Sequence, residues 1–204
     1  KFMTKAFNLA DRYQIPVIIL SDQYLIDTYY NFMSFSSYDR IESYIVTTDK
    51  SYKRYKLTEN GITPRGIPGN GDGLVMVDSD EHDEYGFSEE SAENRTKMMD
   101  KRFRKLKKMV KEIKGPNLYG NVNAENTILS WGSCKMPILE ALNYLNSEKV
   151  LFNFLHFNYL VPFPVKEFLN SMKNVKKSIV IENNKTSQLS KLIMENTGIK
   201  IGRT

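Results

Sequence analysis

"TILSWGSCKMPILEALNYLNSEKVLFNFLHF" (127–157) begins and ends with a short apolar run, and the residues between them have a helical pattern. Runs that are apolar throughout, rather than alternating, predict strands buried on both faces. The pattern continues downstream with "PVKEFLNSMK" (164–173) as a helix, "SIVIEN" (178–183) as a strand and "TSQLSKLIMENTG" (186–198) as a helix. Strands that alternate with helices of this length imply right-handed crossovers and a parallel sheet. "GIKIGRT" (198–204) looks like the start of a fourth strand, so 121–204 reads as an α/β domain truncated at its end. In such sheets ligands meet the carboxyl ends of the strands. Those ends carry Gly132 and Ser133, His156, and Glu182 with Asn183 and Asn184.

The front of the chain has a second, smaller α/β pattern. In "FMTKAFNLADRYQ" (2–14), Phe2, Ala6, Leu9 and Tyr13 share one side of a helix; Pro16 then precedes "VIILSD" (17–22), and a further helix begins near Gln23. An apolar run between helices predicts a central parallel strand, which makes 1–50 the tail of an α/β domain. Residues 51–120 read as a linker. "YKRYKLTENGITPRGIPGNGDGL" (52–74) is an ordered glycine-rich loop or extended arm, and it contains neither a G-x-x-x-x-G-K-[ST] nor a strand–G-x-G-x-x-G–helix arrangement. "LVMVD" (74–78) predicts a strand, and a long helix runs from about Glu89 to Lys114.

The 204 residues carry a net charge of +5, and eight Lys and Arg in 101–114 are offset by one Glu. Met99, Phe103, Leu106, Val110 and Ile113 step by 4, 3, 4 and 3, which predicts an apolar stripe facing inward with the basic residues on the solvated face. Phe103, the one aromatic among them, falls on that stripe, so the helix is not read as a single-strand nucleic-acid binder. A content of 41% hydrophobic residues supports a folded, soluble protein. No run approaches the roughly 20 apolar residues of a membrane span, and the start lacks a signal-peptide core. Cys134 is the only cysteine, so zinc or an iron–sulfur cluster would need ligands from another chain.

"GLVMVDSDEHDEYG" (73–86) surrounds one of two histidines with carboxylates. It does not fit the calcium loop D-x-[DN]-x-[DN]-G, and zinc would need ligands from elsewhere. The cluster reads as an acidic turn ahead of a helix, with His82 locking the turn or bonding a partner. Ser133 either caps the following helix or donates to a ligand, and Cys134 is a helix-start residue. His156 and "VPFP" (161–164) shape a strand-to-helix turn.

The order "PVIILSDQYL", "GITPRGIPG", "VDSDEHDEYGFSEESAENRTKMMDKRFRKL", "ILSWGS", "LHFNYLVPFP" and "IENNKTSQL" resembles the alpha subunit of archaeal and bacterial 2-oxoacid:ferredoxin oxidoreductases, nearest the 2-oxoglutarate type. The resemblance implies that 1–50 is the end of a thiamine-pyrimidine-binding domain and 121–204 a transketolase C-terminal-like domain. It also implies a cytoplasmic enzyme converting a 2-oxoacid and coenzyme A to acyl-CoA and carbon dioxide while reducing ferredoxin. Thiamine diphosphate, magnesium and a 4Fe–4S cluster would sit mainly on a beta subunit, in a hetero-oligomer in which this chain alone is inactive and carries no catalytic residue. Arg65, in the family's S/T-P-R element, would meet the substrate carboxylate, with Thr63 as its neighbour; a planar guanidinium suits that task. His82 and Ser133 would be partner or active-site contacts. "GDG" (71–73) and "NN" (183–184) are too far apart for the thiamine diphosphate motif and read as coincidence. "IENNKTSQL" has Ser187 where family members often carry glycine. The alternative is a non-catalytic α/β interaction or nucleotide-binding module.

Overall fold

Strands β2 (Asn126–Trp131), β3 (Phe152–Phe157) and β4 (Lys177–Val180) form the parallel centre of a five-stranded sheet. The computed structural model describes residues 2–34 and 40–203; Thr204 of the last predicted strand and 35–39 of the first predicted segment lie outside them. The sheet order is β1-β3-β2-β4-β5, with β5 (Gly202–Arg203) parallel to β4 and β1 (Asn117–Gly120) antiparallel to β3. The parallel, helix-flanked sheet is as the sequence predicts. The antiparallel edge β1 is an addition, because "NLYG" is too short and too exposed to show a period.

Alternate residues of the central strands feed two cores. Leu129, Leu155 and Val180 pack with Phe168 of α5 (Val165–Ser171) and Leu189 and Ile193 of α6 (Gln188–Thr197). Ile128 and Phe154 pack with Ile138 and Leu142 of α4 (Lys135–Ser147) on the other side. Burial on both sides explains why these strands lack polar alternation. One polar pair across β2 and β3, Thr127 and Asn153, is hydrogen-bonded: the Thr127 hydroxyl donates to Asn153 Oδ1 at 2.6 Å, and Asn153 Nδ2 donates to the Asn121 carbonyl.

The chain divides into two compact units, residues 1–19 with 31–109 and residues 20–30 with 110–204. Residues 51–109 therefore fold together with the first helix, α1 (Phe2–Tyr13), rather than standing apart from it. In this first unit the chain from 40 to 91 is largely irregular, joined by isolated bridges from Ile45 to Arg65, Thr48 to Gly71 and His82 to Ser88. At Gly71 (φ +111°) a Cβ would run into the Thr48 backbone, so the bridge requires glycine.

Two predicted strands are absent. Residues 17–22 are extended without ladder partners, and Ile18, Ile19 and Leu20 are exposed; the short helix α2 (Gln23–Asp27) follows as predicted. Residues 74–78 likewise have no partner strand, with Leu74 and Val77 exposed. An apolar run becomes a strand only where another strand meets its N–H and C=O groups, and that is decided non-locally.

The long helix α3 (Ala92–Glu112) forms, but with a different inner face from the one predicted. Met98, Lys101 and Met109 are buried, whereas Phe103 is 60% exposed and Leu106 is also exposed. Lys101 Nζ donates to the Tyr55 carbonyl at 2.6 Å, and Lys105 Nζ reaches the Gln14 carbonyl at 3.4 Å. The irregular segment beneath the helix offers carbonyls and carboxylates, so cations turn inward. Burial pushes the Lys101 ammonium down to about 8, helped by the charges of Lys105, Arg54 and Arg102, and it lowers Lys105 as well.

Candidate functional site

In the first unit the "DSDEHDEYG" segment is a staple for α3. Glu81 accepts two hydrogen bonds from Arg102, at 2.5 and 3.0 Å, and one from Arg95 at 2.9 Å. The Arg102 guanidinium is the main cause that holds the Glu81 carboxyl down at about 2. Asp83 Oδ1 accepts from the backbone N–H groups of Tyr85, Gly86 and Phe87, which makes the turn, and Glu84 accepts from Leu57 N–H and Lys53 Nζ. His82 is buried with its ring edge-on to Tyr55, and burial, with Arg102 next, pushes its pKa down. Among the described residues no three His, Cys, Asp or Glu side chains are grouped to hold a metal ion.

Arg65 lies at the wall of a cleft of about 600 Å³ lined by Phe7, Ala10, Asp11, Gln14, Ile15, Pro16 and Arg54. Its guanidinium pairs with Asp11 at 2.7 Å, and both side chains are partly exposed. Asp11 is held in turn by Tyr44 N–H on its second oxygen. Thr63 is buried, and its hydroxyl donates to the Lys56 carbonyl, so that side chain braces the loop. The Thr63 carbonyl accepts from Gln14 Nε2, whose Oε1 accepts from Arg54 Nη1 at 2.8 Å. The cleft thus includes Arg65 but neither Thr63 nor His82. Sequence reading missed Asp11, Gln14 and Arg54; the only trace of them is a polar pair three residues apart at the end of α1, and an arginine inside "YKRYK".

In the second unit a smaller cavity of about 310 Å³ is lined by Tyr24, Ser133, Cys134, Pro137, Ile138, Ile181 and Asn183. Ser133 sits in a 3₁₀ turn, Gly132–Cys134, ahead of α4, and its side chain caps neither helix. Its N–H donates to Asp22 Oδ2 at 3.1 Å, and its hydroxyl accepts from Asn183 Nδ2 at 3.1 Å. The other Asp22 oxygen caps α2 through Leu25 N–H, and the Ser133 side chain, ahead of the Leu25 and Ser133 N–H groups, lowers the Asp22 pKa. Glu182 receives Trp131 Nε1, Asn184 Nδ2 and the N–H of Leu189 at the start of α6. His156 is buried in β3 beside Phe154, and burial lowers its pKa.

Residues 1–101 match the family model described as pyruvate flavodoxin/ferredoxin oxidoreductase, thiamine diphosphate-binding. The 2-oxoacid:ferredoxin oxidoreductase subunit alpha of Saccharolobus solfataricus is 36% identical over 97% of this chain. The chain belongs to the family of these alpha subunits. Subunit alpha of the second 2-oxoacid:ferredoxin oxidoreductase of Aeropyrum pernix is also 36% identical, over 96% of this chain. A solved 2-oxoglutarate:ferredoxin oxidoreductase from Magnetococcus marinus, with 2-oxoglutarate, coenzyme A and succinyl-CoA bound, superposes with a TM-score of 0.81 at 31% identity, covering 97% of this chain and 35% of that one. The chain spans about a third of the length of the curated relatives it matches, 32% for each of the two named.

Against this family background, the residues present do not form a magnesium–diphosphate cradle. The side-chain amides of Asn183 and Asn184 donate to Ser133 and Glu182. No chemical step through thiamine diphosphate is assigned to these residues.

Proposed function

We propose that this chain is part of the alpha subunit of a thiamine diphosphate-dependent 2-oxoacid:ferredoxin oxidoreductase. The reaction takes a 2-oxoacid, 2-oxoglutarate foremost, and coenzyme A to acyl-CoA and carbon dioxide, with the electrons passing to ferredoxin. Thiamine diphosphate, magnesium and the 4Fe–4S cluster come with the complete cytoplasmic hetero-oligomer, chiefly on a beta subunit. The cofactor carries the carbon–carbon bond cleavage, and this chain positions substrate. Among the described residues no helix is long and apolar enough to cross a membrane.

The observation that carries the reading is the run of similarity along nearly the whole chain to alpha subunits of this reaction class. Arg65 is the substrate-carboxylate residue of the proposal. Its cleft supports that role: the guanidinium already pairs with a carboxylate, that of Asp11, at its partly open wall. Thr63 supports Arg65 through the backbone, while His82 and Ser133 serve as contacts toward the rest of the complex.

The test is anaerobic viologen reduction by the full-length chain copurified with its partner, with 2-oxoglutarate or pyruvate and with or without coenzyme A. Substrate- and CoA-dependent reduction is expected, and Arg65→Ala should raise KM at least tenfold, the loss of a charge-assisted pair of about 1.5–3 kcal/mol. Undiminished activity in the mutant removes Arg65 from the site. No reduction by a complex loaded with thiamine diphosphate and iron removes the oxidoreductase reading and leaves a non-catalytic module.

A further inference from the structure

The first unit's cleft holds a second guanidinium with no task in the reaction as proposed. Arg54 is half-buried, and its contacts are neutral: the Gln14 amide oxygen at 2.8 Å and the Tyr55 ring, whose centroid is 4.9 Å away. The neighbours that feel its charge, Lys101 and Lys105, are themselves cations turned inward on α3. Arg65 has Asp11 as a counter-charge, and Arg54 has no carboxylate contact among the described residues. A half-buried arginine beside two lysines is a position that an incoming anion stabilises.

The lining of the cleft, two guanidiniums with an apolar wall, gives that anion a shape. Asp11, which holds Arg65, is in the last turn of α1, and Gln14, which holds Arg54, follows three residues later. Gln14 lies just past the helix in the left-handed region (φ +50°), and the turn it makes brings both guanidiniums to the lining of one cleft. A five-carbon dicarboxylic acid separates its carboxyl carbons by about 5 Å, from four bonds of about 1.5 Å each. The wall between the polar groups is formed by Phe7, Ala10, Ile15 and Pro16, an apolar lining suited to methylenes.

We propose that Arg54 is a specificity-determining residue that binds the distal carboxylate of a dicarboxylic 2-oxoacid, while the carboxylate next to the keto group displaces Asp11 from Arg65. This rests on the reaction proposed above and adds to it the residue that separates dicarboxylic from monocarboxylic substrates.

The copurified complex tests this with 2-oxoglutarate against 2-oxobutyrate and with coenzyme A against 3′-dephospho-coenzyme A. In Arg54→Gln the ratio of kcat/KM for 2-oxoglutarate to that for 2-oxobutyrate should fall tenfold or more, mainly through KM, and Arg54→Lys should recover part of it. Equal losses on both acids would make Arg54 a structural residue. A loss that disappears with 3′-dephospho-coenzyme A would assign Arg54 to the coenzyme's phosphate; either result overturns the proposal. Calorimetric binding of glutarate to the complex separates this failure from that of the reaction. Should wild type turn over no 2-oxoacid, the reaction falls, yet tenfold weaker glutarate binding in Arg54→Gln would still support Arg54 as a carboxylate site, and equal binding would sink it. Where Arg54→Gln fails to assemble, Asp11→Asn decides: freeing Arg65 should tighten glutarate binding severalfold, and unchanged binding would count against displacement.

Discussion

Glu81 and Lys101 make the stability of the first unit rise with pH in two separate windows. Glu81 is 10% exposed and its folded pKa, about 2, is below the ordinary 4.5, so the stability it contributes is complete above 4.5 and disappears as pH falls toward 2. Chemical denaturation between pH 6 and 2 should show a slope that Glu81→Gln flattens, with the mutant less stable at pH 6 by about 2–3 kcal/mol. Lys101 is a cation with its folded pKa lowered from 10.5 to about 8. The unfolded chain binds the extra proton between those values, so stability rises with pH from 8 to 10.5. Lys101→Met should remove that rise and leave stability at pH 7 equal or higher, by about 1–3 kcal/mol, because the buried charge is gone. Ser187, in the second unit, carries backbone strain rather than charge. It precedes α6 in the left-handed region at φ +54° and caps nothing with its side chain. Ser187→Gly should raise the melting temperature by a few degrees, from about 1 kcal/mol of relieved backbone strain.

At the scale of elements, what could be read in advance depended on where each element finds its partners. The strands around Leu129, Leu155 and Val180 were legible because two packed faces force a continuous apolar run. Residues 17–22 and 74–78 have the same composition and are not strands, since a ladder partner is a property of distant chain. Helix α3 was legible as a helix but not in its orientation: apolar spacing pointed to Phe103, and the carbonyl of Tyr55 drew Lys101 inward instead. The cleft divides likewise. Arg65 was legible because a family element marks it, whereas Arg54, Asp11 and Gln14 become a group only when the end of α1 meets residues 54–65. The start of α6 carries its own expectation. Glu182 supplies the acceptor for Leu189 N–H that Ser187 does not, so Glu182→Ala should cost about 1 kcal/mol in urea denaturation and speed amide exchange at Leu189.

For the whole molecule, the two compact units are drawn from interleaved stretches of chain. Residues 20–30 count with the second unit, although the chain on both sides of them counts with the first. Within the second unit this stretch is held by Asp22 on Ser133 N–H and by Tyr24 at the wall of the 310 Å³ cavity. Asp22→Ala in the full chain should speed hydrogen exchange at Ser133 at least tenfold and expose 20–30 to protease, while exchange in the β2–β3 ladder stays slow.

The hydrogen bond from Ser133 to Asp22 joins residues 111 positions apart, and that separation sets a timetable for synthesis. During translation, residues 20–30 are made before Ser133, and the Asp22 contact cannot form until the turn before α4 has been made. At about 5–20 residues per second, that leaves roughly 5–20 s in which Asp22 has been made and its Ser133 partner has not. Protection of the Ser133 N–H in a nascent chain should therefore lag the synthesis of residues 20–30 by that interval.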